Sequence, residues 1–199
     1  MARGEHILQE QYGTTKRAHS FYEHQMLSYL NERMIEFIGR QAMMFIATAD
    51  AKGDCDSSFR AGEAGFVRVI NNKTLIYPEY RGNGVHASLG NILENPHIGL
   101  LFIDFLEHQI GLHINGKASI IDNAHLSTFI MEEQIWEDIQ EKEGDKPERW
   151  VLIEVDEAYI HCSKHIPTLK EMDKKIEWGT DDEKLKGGDF FKAKQSTKE

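Results

Sequence analysis

Gly65-Phe66-Val67-Arg68-Val69-Ile70, Asn71-Asn72, Lys73-Thr74-Leu75-Ile76-Tyr77 is the stretch that decides the fold. Two β-branched and aromatic runs flank a pair of asparagines, and asparagine tolerates the positive φ values of a tight two-residue turn, so the stretch reads as a β-hairpin. Strands continue on both sides of it. Met43 to Ala49 is a short apolar run closed by Asp50-Ala51-Lys52-Gly53-Asp54, a buried strand with its turn. His97 to Asp104 and Gln109 to Ile121 are strand-like. Asn115-Gly116 could turn the second run into a hairpin, but a long strand with a glycine bulge is the favoured reading. Glu79 to Gly84 is a loop by its glycine content, and Val85 to Leu93 forms a short helix that ends before Asn95-Pro96. Further strands run from Arg149 to Val155 and from Ala158 to Cys162. The connections are hairpins and short turns, which disfavours a doubly wound parallel sheet. The expected fold class is mainly β (α+β), a small closed barrel with peripheral helices.

The helices fall outside this core. Ser20 with Glu23 reads as a capping box ahead of Met26, Leu27, Leu30, Met34, Phe37 and Ile38 at helical spacing, predicting one amphipathic helix. Asp122 or Asn123 can cap another that carries Leu126, Phe129, Ile130, Trp136 and Ile139. Residues 170–199 are rich in lysine and acid, which suits a surface helix followed by a partly disordered tail. With 199 residues, one domain is the default, divided into an N-terminal helical segment over 1–40, a core over 41–167 and a charged C-terminal segment over 168–199.

The formal net charge of -10 argues against nucleic acid or an anionic membrane as the main partner, so any bound phosphate needs a local positive site. The start is polar, and no stretch approaches the roughly 18 apolar residues of a membrane span, so a cytoplasmic location is expected. Cys55 and Cys162 are the two cysteines and stand far apart, which gives no disulfide framework and points to a reducing compartment. His161, Cys162 and His165 are metal-ligand types, but their segment reads as a strand end, and no metal is expected. Serine-hydrolase elbow, P-loop and zincin motifs do not occur.

Arg68 interrupts the apolar hairpin strand, and a charge there needs a partner. Downstream, Gly82 and Gly84 permit close backbone approach, and the helix start near Val85 offers unpaired N–H groups, with Ser88 and Asn91 on one face. Two readings stand on spacing alone. Arg68 and this loop form an anion cradle, or Arg68 pairs with an acid while the glycines merely turn the chain.

The runs Ser57 to Val69, Thr74 to Gly84, Ser88 to Ile92, Asn95 to Asp104, Leu112 to Ala118 and Tyr159 to Pro167 resemble the pyridoxamine 5'-phosphate oxidase-related FMN-binding family. The resemblance covers roughly residues 40 to 167 and makes residues 41–167 a split β-barrel core. It implies a homodimer with FMN at the subunit interface. It also implies roles residue by residue: Arg68 near the FMN phosphate, Val69 offering backbone to the flavin, and Tyr77 and Pro78 lying along it. Asn83, Gly84, Ser88, Leu89 and Asn91 would hold the phosphate, Ser57, Ser58 and Phe59 would line the flavin face, and Lys164 would sit near the pyrimidine edge. Members that oxidise vitamin B6 phosphates carry a Ser-Arg-Lys triplet entering the helix, where this chain has approximately His86, Ala87 and Ser88. They also carry a C-terminal tryptophan and arginine without a counterpart after Lys164, so B6 phosphate oxidation is not expected. The resemblance implies an FMN-dependent oxidoreductase of unspecified substrate. The alternatives are a flavin-binding protein without turnover, or a related split barrel that takes haem or a deazaflavin.

Overall fold

Strand alternation builds the sheet. In the computed structural model, which describes residues 3–129, 132–182, 185 and 190–193, the elements in chain order are α1 (Arg3–Gln11), α2 (Thr15–His24), β1 (Met26–Leu27), α3 (Glu32–Gly39), β2 (Met43–Ala49), β3 (Cys55–Ala61), β4 (Arg68–Asn71), β5 (Thr74–Tyr80), α4 (Ala87–Glu94), β6 (His97–Asp104), β7 (Ile110–Asp122), α5 (Glu133–Lys142) and β8 (Pro147–His161). Short 3-10 turns follow β7 and β8. Along β2, Met44, Ile46 and Thr48 are buried while Met43, Phe45 and Ala47 face outward, the period of two that places one face on a core.

All pairings are antiparallel, in the order β3-β2-β6-β7-β8-β5-β4, with β1 added to β8. The path has two ends, β3 and β4, which do not pair with each other. The expected closed barrel is therefore open along one seam, a split barrel. β4 pairs only with Thr74 to Ile76, so β5 from Tyr77 to Tyr80 presents a free edge toward that seam. The main core packs Met44, Ile46, Leu100, Phe102, Ile114, Tyr77, Val151 and Ile153 inside the barrel. A second cluster of Ile76, Ile121, Leu126, Ile139, Trp150 and Leu152 seals the outer side of β5 and β8 under α5. β5 is thus buried on both faces, and Pro78 is tolerated in its edge portion.

Several expectations change. The single helix predicted from Ser20 is broken: Ser20 lies inside α2, Met26 and Leu27 pair with Tyr159 and Ala158 on β8, and Asn31 caps a new helix by accepting the Met34 N–H at 3.0 Å. The hairpin is present, but its turn falls at Asn72 and Lys73 without positive φ, because the Asn71 side chain accepts the Lys73 N–H and turns the chain itself. The two C-terminal strands form one long strand with Asp156 as an extra residue opposite the Asn115/Gly116 step. The favoured single β7 forms, but the bulge lies on β8 at Asp156, with Gly116 opposite it and β7 itself regular against β6. A Cβ on Gly116 would collide with the Glu154 carbonyl oxygen, so only glycine lets β8 approach there. Asn123 does not cap a helix; its amide bridges the Trp150 indole N–H and the Pro147 carbonyl, and α5 starts ten residues later. Ile130, residues 183, 184 and 186–189 and the end from 194 lie outside the described residues, whereas 166–177 carry no regular secondary structure where a helix was expected.

Candidate functional site

A cleft of about 450 Å³ opens at the seam. β3 supplies one wall with Asp56, Ser58, Phe59 and Arg60, the free end of β5 supplies Glu79 and Tyr80, and the loop from Gly82 to His86 with the start of α4 supplies the floor. Glu148 and Arg149 close it from the start of β8. Alternation along β3 puts Asp56, Ser58 and Arg60 on a common face. The Arg60 Nε donates to Glu79 Oε1 at 2.7 Å, bridging the seam that the backbone leaves open. Ser88 Oγ donates to Asp56 Oδ2 at 2.7 Å and lies 3.1 Å from Ser58 Oγ, so α4 is tied to β3 by hydroxyls.

The floor presents a helix start to the cleft. His86 precedes α4 in the left-handed region at φ 54°, a conformation costly for a side chain with a Cβ and kept where the surroundings impose it. It aims the first turn of α4 at the cleft, and the N–H groups of Ala87, Ser88 and Leu89 have no acceptor within the helix. Gly84, at φ +79°, lets the loop enter this bend. Two carboxylates, Asp56 and Glu79, already hold the donors that face the space, so an incoming anion must take over their hydrogen bonds.

Of the residues read from sequence, the structure brings Ser58, Phe59, Asn83, Gly84, Ser88 and Leu89 to this cleft. The others lie elsewhere. Arg68 is 6% exposed, with Nη1 on Glu143 at 2.7 Å and on the Phe66 carbonyl, and Nε on Asp138 at 3.0 Å. Its Nη2 is buried without a hydrogen-bond partner. Arg68 thus anchors α5 to the hairpin and does not line this cleft. Asp138 is held below the usual carboxylate range: burial opposes this, and hydrogen bonds from Lys142 and Arg68 outweigh burial. Val69 packs on the core, Tyr77 is fully buried in it, and Pro78 pairs with Trp150. Ser57 is exposed on the outward face of β3, and Asn91 donates to Thr48 Oγ1 at 3.1 Å, joining α4 to β2. Lys164 follows the far end of β8 from Arg149 and is exposed. Arg60, Glu79, Tyr80, His86 and Arg149 were missed; alternation from Asp56 through Ser58 was the signal that could have found Arg60.

Tyr80 links the cleft to the Arg68 cluster. Its hydroxyl donates to Glu143 Oε2 at 2.6 Å, and burial, then this hydrogen bond, pushes its pKa upward and keeps it a donor. Burial likewise raises the pKa of the Tyr77 hydroxyl.

The outward face of the sheet carries two adjoining rows. Cross-strand partners Phe59, Phe45, Leu101, His113, Tyr159 and Met26 form a mostly apolar ridge across six strands. Beside it Ser57, Ala47, Gly99, Asn115 and Glu157 form a groove of small and polar residues, part of a hollow of about 550 Å³. Phe59 is 55% exposed. Within the ridge His113 Nε2 meets His161 Nδ1 at 2.9 Å and stacks on Tyr159, and burial, then His161, lowers the His113 pKa.

A family model described as pyridoxamine 5'-phosphate oxidase matches residues 30–162, which contain strands β2 to β8 and every cleft residue. The chain belongs to the pyridoxamine 5'-phosphate oxidase family. A variant of HupZ from Group A Streptococcus is 24% identical, covers 66% of this chain and 98% of its own, and superposes with a TM-score of 0.50, a likeness of fold. General stress protein 26 from Bacillus anthracis (18% identity, 63% and 89% coverage, TM-score 0.40) and an FMN-binding protein from Syntrophomonas wolfei (12%, 65% and 87%, 0.43) are more distant. No curated protein matches the chain. Among the described residues, no helix is long and apolar enough to cross a membrane.

Proposed function

We propose that the seam cleft holds FMN and that the protein is an FMN-dependent oxidoreductase working as a homodimer. The observation that carries this reading is the convergence, in one cleft of a family member, of Arg60, two serine hydroxyls and the open first turn of α4 beneath a glycine loop. These groups fit a phosphomonoester: a guanidinium pairs with it in two-pronged fashion, and unpaired N–H groups at a helix start accept its charge. The volume suits a ligand of this size, since small-molecule sites span roughly 300–1,000 Å³. When bound, the flavin would supply the electron-accepting ring. The chain's part is to bind and orient. Arg60, the Ser58 and Ser88 hydroxyls and the Ala87 to Leu89 amides hold the phosphate, and until it arrives Glu79 holds Arg60 while Asp56 holds the two hydroxyls. Tyr80 shapes the wall next to the loop.

The homodimer reading rests on the outer ridge and groove. A ridge beside a groove of similar length is self-complementary under a two-fold axis, and exposed apolar patches of this kind mark interfaces. Phe59 belongs to both the ridge and the cleft wall, so pairing would bring a second chain to the cleft's edge.

The test is equilibrium titration of flavin-free protein with FMN, riboflavin and hemin. FMN is expected to saturate one site per chain, more tightly than riboflavin because of the phosphate. Absence of FMN binding, or preference for hemin, would overturn the proposal. Steady oxidation of a nicotinamide cofactor by the FMN-loaded protein then distinguishes an enzyme from a binding protein.

A further inference from the structure

The segment after β8 crosses the barrel surface and ends against the loop at the cleft. The Leu169 N–H is bonded to the Phe105 carbonyl beyond β6, and the chain then runs to Trp178, whose ring stacks on Tyr80 at a centroid distance of 5.9 Å and an interplanar angle of 27°. Gly179, at φ +76°, turns the chain; a Cβ there would lie 3.0 Å from the Lys146 carbonyl oxygen, so the segment sits close on the turn before β8. Two residues on, Asp181 pairs with Arg81 Nη2 at 3.3 Å. Tyr80 is therefore held at both ends, its hydroxyl by Glu143 in the Arg68 cluster and its ring by Trp178. The next residue, Arg81, is held by Asp181, and the glycine loop begins immediately after it. A small hollow beside this loop is bounded by Arg81 and Asp181 and shares Gly82, Gly84, His86 and Glu148 with the main cleft.

We propose that Trp178 and Asp181 are positioning residues for the anion-binding loop. They clamp Tyr80 and Arg81, the loop's leading residues, and so hold Gly82 to Ser88 in the shape that receives a phosphate; the phosphate half of this claim rests on the flavin reading of the cleft. The physical advantage is preorganisation. Without the clamp, a glycine loop samples many conformations, and binding must bear the entropy of fixing it. The arrangement also turns the Arg81 guanidinium onto Asp181, so the arginines that line the main cleft are Arg60 and Arg149.

The test uses the full chain with Trp178→Ala, Trp178→Phe and Asp181→Asn. In the ligand-free protein, Trp178→Ala is expected to speed amide hydrogen exchange across residues 81–88 by about tenfold, with exchange in β6 and β7 unchanged. FMN dissociation constants should rise about tenfold, riboflavin's by less than twofold, and Trp178→Phe should restore both. Asp181→Asn should move exchange and FMN affinity in the same direction by a smaller factor. Unchanged loop exchange in Trp178→Ala would overturn the clamp, as would equal weakening of FMN and riboflavin, which marks a general structural effect. If wild-type protein bound no FMN, the flavin reading would fall, and loop exchange would still decide whether the clamp exists.

Discussion

Replacing Arg60 by alanine should weaken FMN far more than riboflavin. A hydrogen bond to a charged group contributes about 1.5–3 kcal/mol, which corresponds to a factor of about 10 to 150 in affinity. The lower part of that range is expected, because Arg60 in the free protein already spends one N–H on Glu79 at 2.7 Å and must exchange this partner for the phosphate. Removing Arg60 also leaves Glu79, 9% exposed, as an uncompensated negative charge beside the anion. The double variant Arg60→Ala with Glu79→Gln should therefore recover part of the loss, and the two substitutions should not be additive. The assay is flavin-fluorescence titration at two salt concentrations, with riboflavin as the phosphate-free control. Equal loss for both flavins, or no loss for FMN, would refute the placement of the phosphate at Arg60.

The Arg68 cluster predicts the opposite behaviour: Arg68→Met leaves Glu143 buried with the Tyr80 hydroxyl as its donor but no cation opposite it, so denaturant unfolding should show a loss of about 3–5 kcal/mol, while the ratio of FMN to riboflavin affinity stays within about twofold of wild type. Gly116→Ala should destabilise the fold by more than about 3 kcal/mol by the same measurement, since its Cβ has no room against Glu154. Phe59→Asp should shift sedimentation from dimer to monomer; an unchanged dimer would remove the ridge from the interface. His113 has a folded-state pKa below its unfolded one, so unfolded chains bind the extra proton and stability falls as pH drops from about 6.5, its unfolded value, through the folded pKa. His113→Gln should flatten that slope in pH-dependent thermal melts, and an unchanged slope would contradict it.

Regular strands were legible because their side-chain period is local: Met43 to Ala49 and His97 to Asp104 match their predicted bounds, and Gly116 inside a strand pattern marks where the β8 bulge at Asp156 comes close. The N-terminal helix was misread because Met26 and Leu27 satisfy a helical period and a strand pairing equally, and only β8, more than a hundred residues away, decides between them. The same non-locality hid the meaning of Arg68. Its apolar neighbours signalled correctly that it needed a buried partner, but Asp138 and Glu143 reach it from α5, seventy or more residues on. The glycine loop and Ser88 were brought to one cleft as read because a loop running into a helix start is a contiguous feature. Arg60 was not singled out because its bond to Glu79 crosses a seam between β3 and β5 that exists only once the whole sheet is assembled.

The central claim is that a flavin phosphate rests at Arg60 and the start of α4, and a crystal structure of the FMN complex tests it directly. Phosphate oxygens are expected within about 3 Å of the Arg60 guanidinium and of N–H groups from Ala87 to Leu89, with Arg68 still on Glu143 and Asp138. Density for FMN with its phosphate away from this cleft, or paired with Arg68, would contradict it.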